Sequence, residues 1–164
     1  EWERMRDPDY QPHGAGARPG PDVKPPGPAA AREDVTRDRK AFLAAVRARL
    51  FTFLRAWWVG DYAGALAALD GTGDGGGEWT ADRLEAARAG YRAEHGPLRF
   101  DPEARNLRHT HVSDAPEGEA LRVEQMLVDP DMHNDWVAEF RVDVAASREA
   151  GRPVLALVRL GSLA

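Results

Sequence analysis

Apolar side chains recur at steps of three and four through the chain's most regular stretch. Phe42, Val46, Leu50, Phe53, Leu54 and Trp57 therefore share one face of a helix of about five to six turns. Thr36, or Asp34 before it, is the expected N-cap, with Asp38 in the first turn. Gly60 and Asp61 close this helix and open a second, in which Tyr62, Ala65, Leu66 and Leu69 repeat the spacing. Thr80 caps a third helix whose apolar line is Leu84, Ala87 and Tyr91, ending at His95, Gly96 and Pro97.

From Leu98 the period changes to two. The spacing predicts a short edge piece at Leu98 to Phe100 and strands over Arg105 to Ser113, Ala120 to Val128, Asp135 to Ala145 and Pro153 to Leu160. Leu121, Val123, Gln125 and Leu127 oppose Arg122, Glu124, Met126 and Val128, and Trp136, Ala138, Phe140, Val142 and Val144 oppose Val137, Glu139, Arg141 and Asp143. One apolar and one charged face define an antiparallel meander with one side on a core. The expected class is α+β: three N-terminal helices packed on a curved antiparallel meander sheet.

Composition adds a boundary. Residues 1–33, rich in proline and glycine, read as a disordered linker or tail, leaving 34–164 as an α+β domain. Trp2 and Met5 are the exception, spaced to dock on a neighbouring surface. Gly71 to Gly77 lacks the lysine and the preceding strand of a phosphate loop, so it reads as a flexible connection. The chain opens on Glu1 rather than methionine and is expected to be a fragment with partner domains upstream. No cysteine is present among the 164 residues, which excludes disulfides, a thiolate zinc site and a cysteine nucleophile. No apolar run approaches the ~20 residues of a membrane span and no signal peptide is recognisable, so no membrane partner and a cytoplasmic location are expected.

Charge is uneven. The net charge is -5, yet residues 37–55 carry six cations against one anion while 56–164 carry eleven against nineteen. Any attraction of nucleic acid would come from the first helix, through Arg47, Arg49 and Arg55, with Trp58 as a stacking surface. The competing reading balances these arginines against acids such as Asp82 or Glu85 and buries Trp58 in the core.

Candidate pocket chemistry lies on the strand over Arg105 to Ser113. If Leu107 points inward, period two carries His109 and His111 to the same face, beside Gln125 on the next strand and facing Tyr62 or Tyr91. A histidine in such a cleft would serve as a general acid or base. The alternative phase turns Arg108, Thr110 and Val112 inward. The His-x-His pair, with His133 or Asp131 as a distant third ligand, falls short of a metal set, and no metal or cofactor is expected. Asp129 to Asp135 lacks the glycine and glutamate of a calcium loop and reads as a polar turn.

The order of helix, helix with GDYAGALAALD, helix, and then a meander ending VEQMLVDPDMHNDWVAEFRVDVAASREAGRPVLALVRLG is similar to the cone of the nuclear transport factor 2-like superfamily, including its snoaL-like members. More closely, DVTRDRKAFLAAVRARLF, WTADRLEAARAGYRAEHGPLRFDPEARN and WVAEFRVDVAASREAGRPVLALVRLG resemble an uncharacterised domain at the C-terminus of bacterial DEAD/DEAH-box superfamily 2 helicases, over roughly Asp34 to Gly161. The resemblance implies a non-catalytic accessory domain. Its partner would be a helicase core on the same or another chain, with nucleic acid along the basic helix and a homodimer through the outer sheet face. The alternative it leaves open is a stand-alone small-molecule binder or isomerase/lyase using the histidine-lined pocket.

Overall fold

The computed structural model describes residues 34–72, 77–116 and 118–163. The linker reading of 1–33, the docking of Trp2 and Met5, and most of the glycine run lie outside these residues. The order is α1 (Arg39–Val59), α2 (Tyr62–Ala67), β1 (Gly71–Thr72), α3 (Ala81–His95), a 3₁₀ turn (Leu107–His109), β2 (Thr110–Asp114), β3 (Ala120–Leu127), β4 (Trp136–Asp143), α4 (Val144–Ala150) and β5 (Leu155–Ser162). The fold is α+β. Four strands form an antiparallel meander β2-β3-β4-β5, and the two-residue β1 adds parallel to the β5 edge. Part of the glycine stretch is therefore an edge strand rather than a loop.

Helix boundaries follow local chemistry. Asp38 is the N-cap of α1, accepting from Ala41 N at 3.1 Å, while Asp34 instead ties back the turn before it through Thr36 N and Oγ1. The expected cap at Thr36 or Asp34 is thus displaced to the aspartate nearest the first helical turn. Gly60 ends α1 at φ 87°, a conformation that favours glycine, and Asp61 caps α2. Thr80 caps α3 through Arg83 N.

Every residue of the sequence-predicted stripe on α1 is buried, joined by Phe51. The stripe meets the inward residues of β3, β4 and β5, among them Val123, Phe140 and Leu157, in one core. Phe53 and Phe140 pack edge to face at 5.7 Å, and Trp57 Nε1 donates to Leu84 O at 2.8 Å, tying α1 to α3. The opposite sheet face carries Arg122, which pairs with Glu124 and Glu139. In β5 one extra residue, Val158, bulges between the pairs Glu139–Arg159 and Phe140–Leu157, a feature that bends and twists a strand.

Three predicted strand segments are corrected. The run expected to extend to Ala145 stops at Asp143, whose side chain accepts from Ala146 N and starts α4. Alternation persists through Val144, but the alanine-rich segment behind an N-cap aspartate prefers helix. The strand expected from Arg105 begins only at Thr110, because Asn106 caps a 3₁₀ turn through Arg108 N. Leu98 to Phe100 forms no strand and is held to the sheet by Arg99 N donating to Val128 O at 3.0 Å. No helix among the described residues is long and apolar enough to cross a membrane.

Candidate functional site

On the wet face of α1, Arg47 reaches across to the start of β2. Its Nε donates to Thr110 Oγ1 at 3.2 Å and a terminal nitrogen donates to the Arg105 carbonyl. Thr110 Oγ1 passes the chain inward by donating to Gln125 Oε1 at 2.5 Å, and Gln125 Nε2 donates to Met126 O at 3.2 Å. Gln125 is 1% exposed, so a fully interior amide is satisfied by a relay that also aims a surface guanidinium. Arg47, Arg55 and Arg105 line an open groove of about 450 Å³ together with Phe51 and Thr52, and among the described residues no carboxylate lines it. Acids of the neighbouring turn are engaged elsewhere: Asp101 by Arg99 at 2.6 Å and Glu103 by Arg108. Arg47 is held below its ordinary guanidinium value first by burial and then by the Arg105 charge, as expected of two like charges kept together.

The other basic candidates divide. Arg49 pairs with Asp70 at 3.2 Å and donates to Ala68 O at 2.9 Å. Arg55 is exposed, and among the described residues neither it nor Arg47 or Arg49 pairs with Asp82 or Glu85, the acids the sequence offered. Trp58 is half-buried between α1 and α3: Arg88 Nε donates to its carbonyl at 2.6 Å, and the Arg88 and Arg92 guanidinium carbons lie 5.4 and 5.8 Å from its ring centre. It packs edge to face on Tyr91 at 5.8 Å rather than standing beside Arg55 as a free platform.

The proposed histidine pair does not share a face. His109 is buried, His111 is exposed, and Leu107, expected inward, is 68% exposed. The 3₁₀ turn shifts the phase, so that Thr110 and Val112 take the inward positions in β2. His109 is pushed below its ordinary value by burial first and Arg108 second. Tyr62 is half-buried against the core and Tyr91 is fully buried. Neither the α1 groove nor a depression of about 350 Å³ on the charged sheet face carries a histidine.

A second polar constellation lies where the C-terminal turn of α3 meets the β3–β4 turn, read from the sequence as a simple polar loop. Asp129, 1% exposed, accepts from Asp131 N, His133 N and Asn134 N at 2.9, 3.2 and 3.0 Å. His133 Nδ1 lies 3.2 Å from its Oδ1. Burial alone would raise the Asp129 carboxyl, but these donors outweigh it and hold it at about 2. His95 comes from α3. Its ring sits 5.3 Å from that of His133 and 5.4 Å from that of Tyr91, and its Nε2 is 2.6 Å from Asp135 Oδ1 without hydrogen-bond alignment. Glu94 Oε2 accepts from Trp136 Nε1 at 2.8 Å, fixing the end of α3 against β4. Burial, then Asp129 and Asp135, raise the Tyr91 phenol above its ordinary range. The sequence signal for this cluster was present in two pieces, His95 at a helix end and His133 in an acidic turn, but their meeting depends on long-range packing that spacing does not encode.

Over residues 1–160 the chain matches the family described as domain of unknown function (DUF3516), and it belongs to that family. Comparison with curated proteins and with solved structures finds no match.

Proposed function

We propose that this chain is a non-catalytic accessory domain of a bacterial, cytoplasmic DEAD/DEAH-box helicase, built as a nuclear transport factor 2-like cone, and that α1 guides single-stranded nucleic acid for a core on the same or a partner chain. The resemblance of the segments starting at Asp34, Trp79 and Trp136 to such accessory domains supports the context. The observation that carries the reading is the groove lined by Arg47, Arg55 and Arg105, with no carboxylate in its lining among the described residues. A protein with net charge -5 repels nucleic acid on average, so three arginines gathered in one concavity form a local exception. Arg47 is aimed through Thr110 and Gln125, which lowers the ordering cost of a phosphate contact.

Fluorescence anisotropy of labelled single-stranded RNA and DNA with the full chain, from about 50 mM to 200 mM salt, tests this. Binding that weakens steeply with salt is expected, with the double replacement of Arg55 and Arg105 by Gln flattening the slope by about two units. No binding at about 50 mM salt, or an unchanged slope in the double variant, removes nucleic acid guidance as the role of α1.

A further inference from the structure

We infer that His95, Asp129 and His133 form a site for one divalent transition-metal ion of the zinc class, independent of the helicase reading. One ligand atom from each residue lies within 4.8 Å of the other two. Tetrahedral ligands about zinc stand closer together, roughly 3.3 to 3.6 Å for bonds of about 2.0 to 2.2 Å, so modest side-chain rotation would complete the set. His133 is the element with freedom to move, its side chain being 57% exposed, whereas Asp129 is locked by the turn.

Turn capping accounts for Asp129 but leaves the rest of the constellation unexplained. Seven buried side-chain nitrogen and oxygen atoms among the described residues have no hydrogen-bond partner, and five of them are here: Tyr91 Oη, both ring nitrogens of His95, Asn134 Oδ1 and Asp135 Oδ1. Two of the five, His95 Nε2 and Asp135 Oδ1, face each other at 2.6 Å, which leaves His95 Nδ1 as the unpartnered atom that the ion would take. His95 is the decisive case because its side chain is 7% exposed and its Nδ1 has no hydrogen-bond partner. With Nε2 against Asp135 Oδ1, Nδ1 remains for the ion, and Asp135 takes the place of the outer carboxylate that commonly orients a metal-bound imidazole.

Two imidazoles and one carboxylate select for zinc, cobalt or nickel over magnesium or calcium, which favour all-oxygen sets. The ligands come from the end of α3 and from the β3–β4 turn, so the bound ion would clamp helix to sheet beside Tyr91 and Trp136. Ion binding to the folded state alone then stabilises the domain.

The test uses the tag-free 164-residue chain, stripped with chelator and titrated with Zn²⁺, with Mg²⁺ in parallel. Calorimetry should give one Zn²⁺ per chain and a Zn²⁺-dependent rise in Tm that Mg²⁺ does not produce. Co²⁺ in place of Zn²⁺ should give visible absorption of four-coordinate intensity. His133→Ala changes an exposed side chain and should fold normally while losing the Tm response and the Co²⁺ spectrum. Asp135→Asn should weaken affinity by about 10–100-fold, and His111→Ala, an exposed histidine outside the cluster, should match the unmodified protein. Absence of stoichiometric Zn²⁺ binding, or equal Zn²⁺ binding by His133→Ala, overturns the assignment.

Discussion

Arg47 and Arg49 stand two residues apart on the same helix and end in opposite situations. On one side, Asp70 receives Arg49 at 3.2 Å and Arg152 at 2.7 Å, while its Oδ2 accepts from Leu155 N at 3.0 Å. That carboxylate, 13% exposed, is a staple joining α1, the end of the α2 segment and the first residue of β5. On the other side, Arg47 meets neutral acceptors among the described residues, Thr110 Oγ1 and the Arg105 carbonyl, and shares its groove with two more arginines. The same residue type serves the fold where a carboxylate closes its charge and leaves a field for a ligand where none does. A basic helix face is therefore not one feature, and its residues separate by what sits opposite them.

The comparison breaks first at the staple. Asp70→Ala removes a largely buried acceptor, frees a β5 amide and strands two cations, so a loss of about 2–3 kcal/mol is expected in urea unfolding with the m-value unchanged. A loss below ~0.5 kcal/mol would mean that this side is as solvated as an ordinary surface pair. Thr110→Val probes the other side from within. It leaves Gln125 Oε1 without its donor and should cost about 1–3 kcal/mol. Adding Gln125→Leu should recover part of that loss, because replacing both partners of a buried hydrogen bond removes the unsatisfied group. A purely additive double variant would show that the hydroxyl and the amide are not coupled.

Much of this architecture is legible in the residues. The α1 stripe, the Asp61 and Thr80 caps, the αL stop at Gly60 and the alternation of β3 and β4 are local, and each follows from a short-range rule. Errors arise where two local rules compete. Alternation runs on through Val144, but the Asp143 cap takes the chain into α4, and the Asn106 cap inserts a 3₁₀ turn that puts His109 and His111 out of phase. Gln125 and Tyr91 emerge as interior polar residues from periodicity alone. The partners that define each site do not. Arg105, Thr110 and Asp70 meet α1 across separations of tens of residues, as His95 meets Asp129 and His133, and no spacing rule reaches that far.

Exchanging the two arginine roles sharpens the comparison on a smaller scale. Arg49→Gln should reduce stability by on the order of 0–1 kcal/mol, since its partly exposed pair is screened by solvent, and should leave any salt dependence of RNA binding unchanged. Arg55→Gln should leave stability within about 0.5 kcal/mol and flatten that salt dependence by roughly one unit. Finding the slope change with Arg49→Gln instead would place the nucleic-acid contact on the balanced side.

The smallest effect is a pH dependence confined to the unbalanced side. His109 is buried next to the arginine-lined turn, with Arg108 Nε 3.4 Å and Glu103 Oε1 3.9 Å from its Nε2. Burial first, then Arg108, His111 and Arg99, push its folded value below the ordinary value near 6.5 that the unfolded chain retains. As pH falls below about 6.5, the unfolded chain takes up a proton that the folded chain refuses. The stabilising contribution is therefore fully present above that pH, declines as pH drops toward the folded value, and levels off once the folded imidazole also protonates. Tm measured from pH 7.5 to 5 should fall more for the unmodified chain than for His109→Gln, which cannot titrate, and the two curves should converge at the acid end relative to their neutral difference. Parallel curves would mean that His109 takes its proton as readily in the fold as out of it, and that the cationic side tolerates a further charge.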